Sequence, residues 1–258
     1  MKILVTFAVD AEFAPWRKLR KFQESTLEAE HSSGGVPVET TRIGDHGVYI
    51  FLTGIGSKLL GFAAAKCFRQ AGVEVVISSG LAGSLKGSFP ALTIICPSRV
   101  AALKEATGMA VTRAVFEMAV RSKATAIDTL LTSSRIIDSR EEKARLAVLA
   151  DAVDMESRHI VESFLEQQIP VGVIRAISDG SEEDLPIDFE NCLTSSGKVN
   201  SLPLLKELAR RPAKLPELIR FGRQSRAAAK RLVRFLDSFI QELKPELLVS
   251  EIEKKEAR

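Results

Sequence analysis

Three carboxylates in this chain sit where a sheet could gather them: Glu12, after the apolar run Ile3 to Val9; Glu156, in Val153-Asp154-Met155-Glu156-Ser157; and Asp179, in Val173-Ile174-Arg175-Ala176-Ile177-Ser178-Asp179-Gly180. The run from Pro170 to Ile177 has the composition of a buried strand, so Ser178 and Asp179 fall at its carboxyl edge, where open α/β sheets bind ligands. A single carboxylate after a strand is usually a solvated turn or a helix cap. Three that converge can divide the work of an acid, a base and a hydroxyl acceptor, provided the strands carrying them are neighbours.

The elements that must position them read as strands at Ile3 to Val9, Gly47 to Thr53, Val73 to Ser78, Leu92 to Pro97, Thr125 to Thr132 and Val171 to Ile177. Between several of these lie helical stretches: Leu59 to Gln70, closed by Gly72; Val111 to Arg121; Ser139 to Leu149; and Met155 to Gln167, stopped before Pro170. This alternation predicts an α/β fold. Hairpin turns near Gly34-Gly35 and Gly44 to Gly47 predict a mixed central sheet flanked by helices, and Val100 to Thr112 reads as a loop.

With 258 residues, 45% of them apolar, the chain can fill one large core or a core with an appendage. Its first residues reach Asp10 and Glu12 too soon for a secretory signal, and no apolar run approaches the roughly 20 residues of a spanning helix, so a cytoplasmic protein is expected. Cys67, Cys96 and Cys192 are widely spaced among apolar neighbours and read as reduced core residues. His31, His46 and His159 are equally scattered; no metal and no cofactor are expected.

From Lys198 the composition changes. Between Lys198 and Arg234 eleven basic residues face two acidic ones, a net +9 in a chain whose total is +3, so the basicity is local. The boundary is therefore placed at 197, with residues 198–258 as a basic, amphipathic helical extension that Pro203, Pro212 and Pro216 divide into short helices.

Ala8-Val9-Asp10-Ala11-Glu12, Thr53-Gly54-Ile55-Gly56, Ser78-Ser79-Gly80-Leu81-Ala82-Gly83-Ser84-Leu85, Val153-Asp154-Met155-Glu156 and Arg175-Ala176-Ile177-Ser178-Asp179 stand in this order. Together they resemble the nucleoside phosphorylase and nucleosidase superfamily, most closely its methylthioadenosine/S-adenosylhomocysteine nucleosidase branch, over residues 1–197. The resemblance implies cleavage of the N-glycosidic bond of a 5'-substituted adenine nucleoside. It implies Asp179 as proton donor to purine N7, Ser178 orienting it, and Glu12 positioning or deprotonating the attacking water. Glu156 would accept from the ribose hydroxyls, Met155 would pack on the sugar, and Asp154, Gly80, Leu81, Ala82 and Gly83 would line the substrate. Ile136 and Ile137 would wall the adenine slot. Three positions depart from the family pattern: Ile136 where an aromatic is usual, Asp154 for a glutamate, and Leu81 for a serine.

Whether water or phosphate is the second substrate turns on charge. No basic residue lies from Ser78 to Leu85, and a carboxylate at Glu12 would repel a phosphate dianion, which favours hydrolysis over a purine nucleoside phosphorylase. Arg17 and Lys58 are the candidate phosphate ligands if phosphorolysis holds. A nucleoside-binding protein without turnover is the third reading. The extension resembles the tail of hopanoid-associated members of the superfamily, which implies peripheral membrane contact through residues 198–243. The alternative is a set of helices packed on the core. The segment Gln224 to Leu243, with Leu232, Leu236, Phe239 and Leu243 at helical spacing, is a candidate homo-oligomer contact, and nucleic acid is not expected because the basic run lacks tyrosine and tryptophan.

Overall fold

The computed structural model describes residues 1–28, 35–57, 59–103, 105, 107–186 and 214–244. Ten strands form one mixed sheet: β1 (Lys2–Phe7), β2 (Gln23–Leu27), β3 (Val36–Ile43), β4 (His46–Leu52), β5 (Val75–Ser84), β6 (Ile94–Ala102), β7 (Met109–Ala110), β8 (Thr125–Thr132), β9 (Ala152–Asp154) and β10 (Val171–Asp179). Six helices accompany them among the described residues: α1 (Asp10–Arg17), α2 (Phe62–Gln70), α3 (Arg113–Arg121), α4 (Arg140–Leu146), α5 (Ser157–Glu166) and α6 (Leu215–Glu242).

The strand order is β10-β6-β8-β9-β5-β1-β4-β3-β2, and β10 also pairs with β5. Strands β5, β10, β6, β8 and β9 therefore close on themselves, while β1, β4, β3 and β2 continue outward from β5. Within this sheet β1, β5 and β10 run parallel, so Phe7, Ser84 and Asp179 end on one side. The short β9 lies antiparallel to β5, with Gly83 opposite Val153, and delivers Met155 and Glu156 to the same neighbourhood.

Alternation along the strands feeds two helical layers. Ile3, Val5 and Phe7 point to one face, where they pack with Phe13 and Trp16 of α1, Val115 and Met118 of α3, and Leu232 and Leu236 of α6. Leu4 points to the other, with Ala65 and Phe68 of α2 and Ile160, Val161 and Phe164 of α5.

Several expectations change. Helix α1, with Pro15 inside it, was not among the expected helices. The strand expected to end at Ser78 runs on to Ser84, so Gly80 and Gly83 lie within β5. Likewise, part of the expected loop Val100 to Thr112 is a ribbon in which Val100 pairs with Met109. Helix α5 begins at Ser157, leaving Met155 and Glu156 ahead of it.

The extension differs most. Pro203 and Pro212, like the boundary at 197, lie outside the described residues. Pro216 breaks nothing, because it occupies the first turn of α6, where a missing N–H has no intrahelical partner to lose. A single 28-residue helix follows. Its Leu232, Leu236, Phe239 and Leu243 are buried against the chain's own core, which corrects their assignment to an oligomer contact. Trp16 Nε1 donates to Asp237 Oδ1 at 3.0 Å and Arg20 Nη2 to Asp237 Oδ2 at 2.8 Å, tying α6 to α1 and the turn after it. Among the described residues no helix is long and apolar enough to cross a membrane.

Candidate active site

Glu12 stands in the first turn of α1, and its carboxylate folds back over the end of β1. Oε2 accepts from the amides of Ala8 at 3.0 Å and Val9 at 3.4 Å, and Oε1 from the amide of Leu81 at 2.9 Å. The group is buried, and desolvation raises its pKa from the ordinary glutamate value, opposed by these amides and by the charge of Arg175. Gly80 makes the approach possible. A Cβ there would stand 3.1 Å from Oε1 and 3.3 Å from Oε2, on a backbone with φ +150° that favours glycine.

Asp179 ends β10 beside a bulge. Ile177 pairs with Ala82 and Asp179 with Gly83, so Ser178 is the extra residue, a device that re-aims a side chain. Ser178 Oγ lies 2.5 Å from Asp179 Oδ1 and 3.2 Å from the Ala82 carbonyl, two acceptors for its one proton. Gly83 has no side chain for the same reason as Gly80: a Cβ would stand 3.0 Å from Asp179 Oδ2. The glycines of β5 thus lie directly beneath the two carboxylates. Asp179 Oδ2 also accepts from Lys143 Nζ at 2.6 Å. Neither the lysine nor its spacing to Asp179 drew attention in the sequence, because a lysine in a helix is ordinarily solvated.

Glu156 precedes α5. Its Oε1 accepts from the amide of Gly56 at 2.9 Å and its Oε2 from that of Met155 at 3.3 Å. Burial, followed by the neighbouring charge of Asp154, pushes its pKa up to about 8; Arg175 opposes and Glu12 adds to the rise. Burial thus favours the protonated form of this carboxyl.

Arg175 explains how so many acids share one place. It stands in the middle of an otherwise apolar buried strand and is 1% exposed. Nε donates to Asp154 Oδ2 at 2.9 Å, and Nη2 to Ser157 Oγ at 2.9 Å and Ser78 Oγ at 3.1 Å. Nη1 is buried without a hydrogen-bond partner among the described residues, 3.4 Å from where a Gly80 Cβ would stand, beside Glu12. Sequence reading passed Arg175 over as a motif carrier. A guanidinium in an apolar strand was the available signal, since such a charge needs a buried partner.

Asp154 is that partner, and its assignment to the substrate is corrected. Its side chain is fully buried, accepting from Thr132 Oγ1 at 2.8 Å and Ser157 Oγ at 2.6 Å as well as from Arg175. Arg17, a candidate phosphate ligand in the sequence, pairs with Asp10 and Glu39 and lies over the Phe13 ring at 4.2 Å. Two carboxylates already balance its charge. Lys58 lies outside the described residues. Met155 is half-buried beside Glu156, and Ile136 is half-buried. Ile137 is buried with Leu85, Leu131, Leu146 and Val153 in a satellite cluster. Leu81 and Ala82 contribute backbone, an amide to Glu12 and a carbonyl to Ser178. Among the described residues no group of three or more His, Cys, Asp or Glu could hold a metal ion.

Comparison with known proteins bears on the fold. Residues 2–127 match the family model of the phosphorylase superfamily. A 5'-methylthioadenosine/S-adenosylhomocysteine nucleosidase of Shewanella denitrificans is 26% identical over 244 residues, covering 81% of this chain and 100% of the relative. The Helicobacter pylori 5'-methylthioadenosine/S-adenosylhomocysteine nucleosidase, solved with butyl-thio-DADMe-Immucillin-A, superposes with a TM-score of 0.68 at 18% identity, covering 94% of this chain and 99% of that one. A futalosine hydrolase mutant from the same organism gives 0.67 at 17% identity, with 94% and 100% covered. The chain carries the fold of these nucleosidase and hydrolase structures.

Proposed function

We propose that this protein hydrolyses the N-glycosidic bond of a 5'-substituted adenine nucleoside and releases adenine. The observation that carries the proposal is the pairing of a buried proton acceptor, Glu12, with the open Nη1 of Arg175, on the sheet edge that also presents Asp179. In this reading a water sits between Glu12 and Nη1, and its oxygen attacks C1' as the bond to N9 breaks. Glu12 takes the water's proton, and Asp179 gives one to N7, so the purine leaves neutral. The sugar passes through an oxocarbenium-like state. Glu156 would accept from the ribose hydroxyls, and losing its proton on binding would put negative charge near that cation.

The nucleosidase relative and the engagement of Arg17 with two carboxylates support water over phosphate as the acceptor. The test is adenine release from methylthioadenosine, S-adenosylhomocysteine and 5'-deoxyadenosine with and without inorganic phosphate. Release that requires phosphate would replace hydrolysis by phosphorolysis, and binding without release would leave a nucleoside-binding protein.

A second reading concerns location. Arg220, Arg223, Arg226, Lys230, Arg231 and Arg234 are all exposed on α6, whose start exposes Leu215 and Ile219. We propose that this stripe meets an anionic lipid surface, from which a nucleoside with a bulky apolar 5' group, such as an adenosylated hopanoid, would enter. Sedimentation with anionic liposomes at low salt tests it, and failure to co-sediment would overturn it.

A further inference from the structure

The hydrolytic reading leaves a difficulty at Asp179. A proton donor must begin with a proton, yet its Oδ2 lies 2.6 Å from Lys143 Nζ. Lys143 is 0% exposed and its Nζ has three acceptors: Asp179 Oδ2, the Gly180 carbonyl at 2.9 Å and the Glu183 carbonyl at 2.8 Å. Three acceptors match the three N–H groups of an ammonium; a neutral amine would leave one of them unmet. The resting pair is therefore carboxylate and ammonium, and the proton for the leaving base is on the lysine.

We propose, on the basis of the hydrolytic reading, that Lys143 is a positioning residue that supplies this proton through Asp179. As the C1'–N9 bond breaks and its electron pair moves onto the purine, the Asp179 carboxylate takes a proton from Lys143 Nζ and passes a proton to N7. Asp179 ends as it began, a carboxylate, and Lys143 ends as an amine. Water supplies hydroxide to C1' and a proton to Glu12. The resting state returns when Glu12 loses that proton to solvent and Lys143 regains one through Asp179 after the products leave.

The surroundings suit a relay that responds to the base. Lys143 belongs to α4, which follows directly from Ser134 to Asp138, the segment expected to wall the adenine. That segment is fastened to the stretch after Asp179: the Leu185 amide donates to the Asp138 carbonyl at 2.7 Å, and the Arg140 amide to Asp184 Oδ1 at 2.8 Å. Gln224 of α6 completes the frame, donating to the Ser178 carbonyl at 2.8 Å and to Glu183 Oε2 at 3.0 Å. Base wall, lysine and aspartate are thus held as one unit. The charged groups facing Nζ in this unit are Asp179 and, through its carbonyl, the segment of Glu183, whose carboxylate instead accepts from the Gly180 amide at 3.1 Å.

The experiment compares two substrates with the same 5'-methylthio group: methylthioadenosine, whose base must be protonated, and a 4-nitrophenyl riboside, whose leaving group needs no proton. Lys143→Met is expected to lose about a hundredfold in kcat on the nucleoside, the scale of general-acid loss, while KM and the nitrophenyl reaction change less than about threefold. Lys143→Arg keeps the charge but not a transferable proton, and is expected to show the same selective loss. Equal loss on both substrates in both variants would mean that Lys143 only supports the fold, and unimpaired nucleoside cleavage by Lys143→Arg would exclude proton supply. Should Lys143→Met not fold, the arginine variant alone decides between these outcomes. Wild-type protein that cleaves the riboside by hydrolysis but fails on every adenine nucleoside would instead refute the reading of the site.

Discussion

Arg175 and Asp154 form a fully buried ion pair, Nε to Oδ2 at 2.9 Å, inside the sheet that carries the candidate site. The pair absorbs one acid of the Asp154-Met155-Glu156 motif and leaves guanidinium Nη1, near Gly80, without a hydrogen-bond partner among the described residues. Asp154→Asn strands a buried cation, so it should destabilise the protein by about 3–5 kcal/mol. Urea denaturation of the two proteins checks this; an unchanged midpoint would mean that the pair contributes nothing to folding.

Gly80→Ala should damage chemistry rather than fold. The added methyl meets both oxygens of Glu12, which must turn away from the Leu81 amide. A displacement of about 1 Å at a reacting group costs on the order of a hundredfold, so kcat should fall between tenfold and a hundredfold. Steady-state kinetics beside circular dichroism separates this from unfolding.

Glu156 gives stability a pH dependence of known sign. Its folded-state pKa, about 8, lies above the ordinary 4.5, so its contribution is fully present below about pH 4.5 and is lost as pH rises through 8. The ligand-free protein should therefore melt lower at pH 9 than at pH 6. Glu156→Gln should flatten that slope and raise Tm at pH 9 by on the order of 5 °C, since each kcal/mol shifts a domain of this size by about 2–4 °C. Glu12, raised in the same direction by burial, remains in the variant and leaves a residual slope. A scan of Tm against pH that rises toward pH 9 would contradict the buried, protonated state.

The strand that leads to Glu12 and the one that ends in Asp179 were legible because Ile3 to Phe7 and Val171 to Ile177 are apolar runs followed by polar residues. The course of β5 was not, because Gly80 and Gly83 look like turn residues until the carboxylates above them are known. Pairings between distant residues leave no periodic trace: Arg175 with Asp154, and Lys143 with Asp179, required the register of β10 against β5 and the placement of α4. Packing of the basic segment on the core was among the readings of the sequence, and Ala228, Leu232, Leu236 and Phe239 mark the buried face of α6; its continuity past Pro216 was not legible.

That buried face makes a further point testable. Leu236 is 0% exposed among residues of the main core, so Leu236→Ala should cost about 2–5 kcal/mol, whereas truncating a side chain on a loosely attached tail would cost almost nothing. Thermal unfolding distinguishes the two.

The most direct test of the hydrolytic reading follows the oxygen. Methylthioadenosine is incubated with the protein in ¹⁸O-labelled water, with inorganic phosphate present, and the sugar product is read by mass spectrometry. The expected product is free methylthioribose with one labelled oxygen at C1, formed at a rate that does not depend on phosphate. An unlabelled sugar 1-phosphate would contradict it.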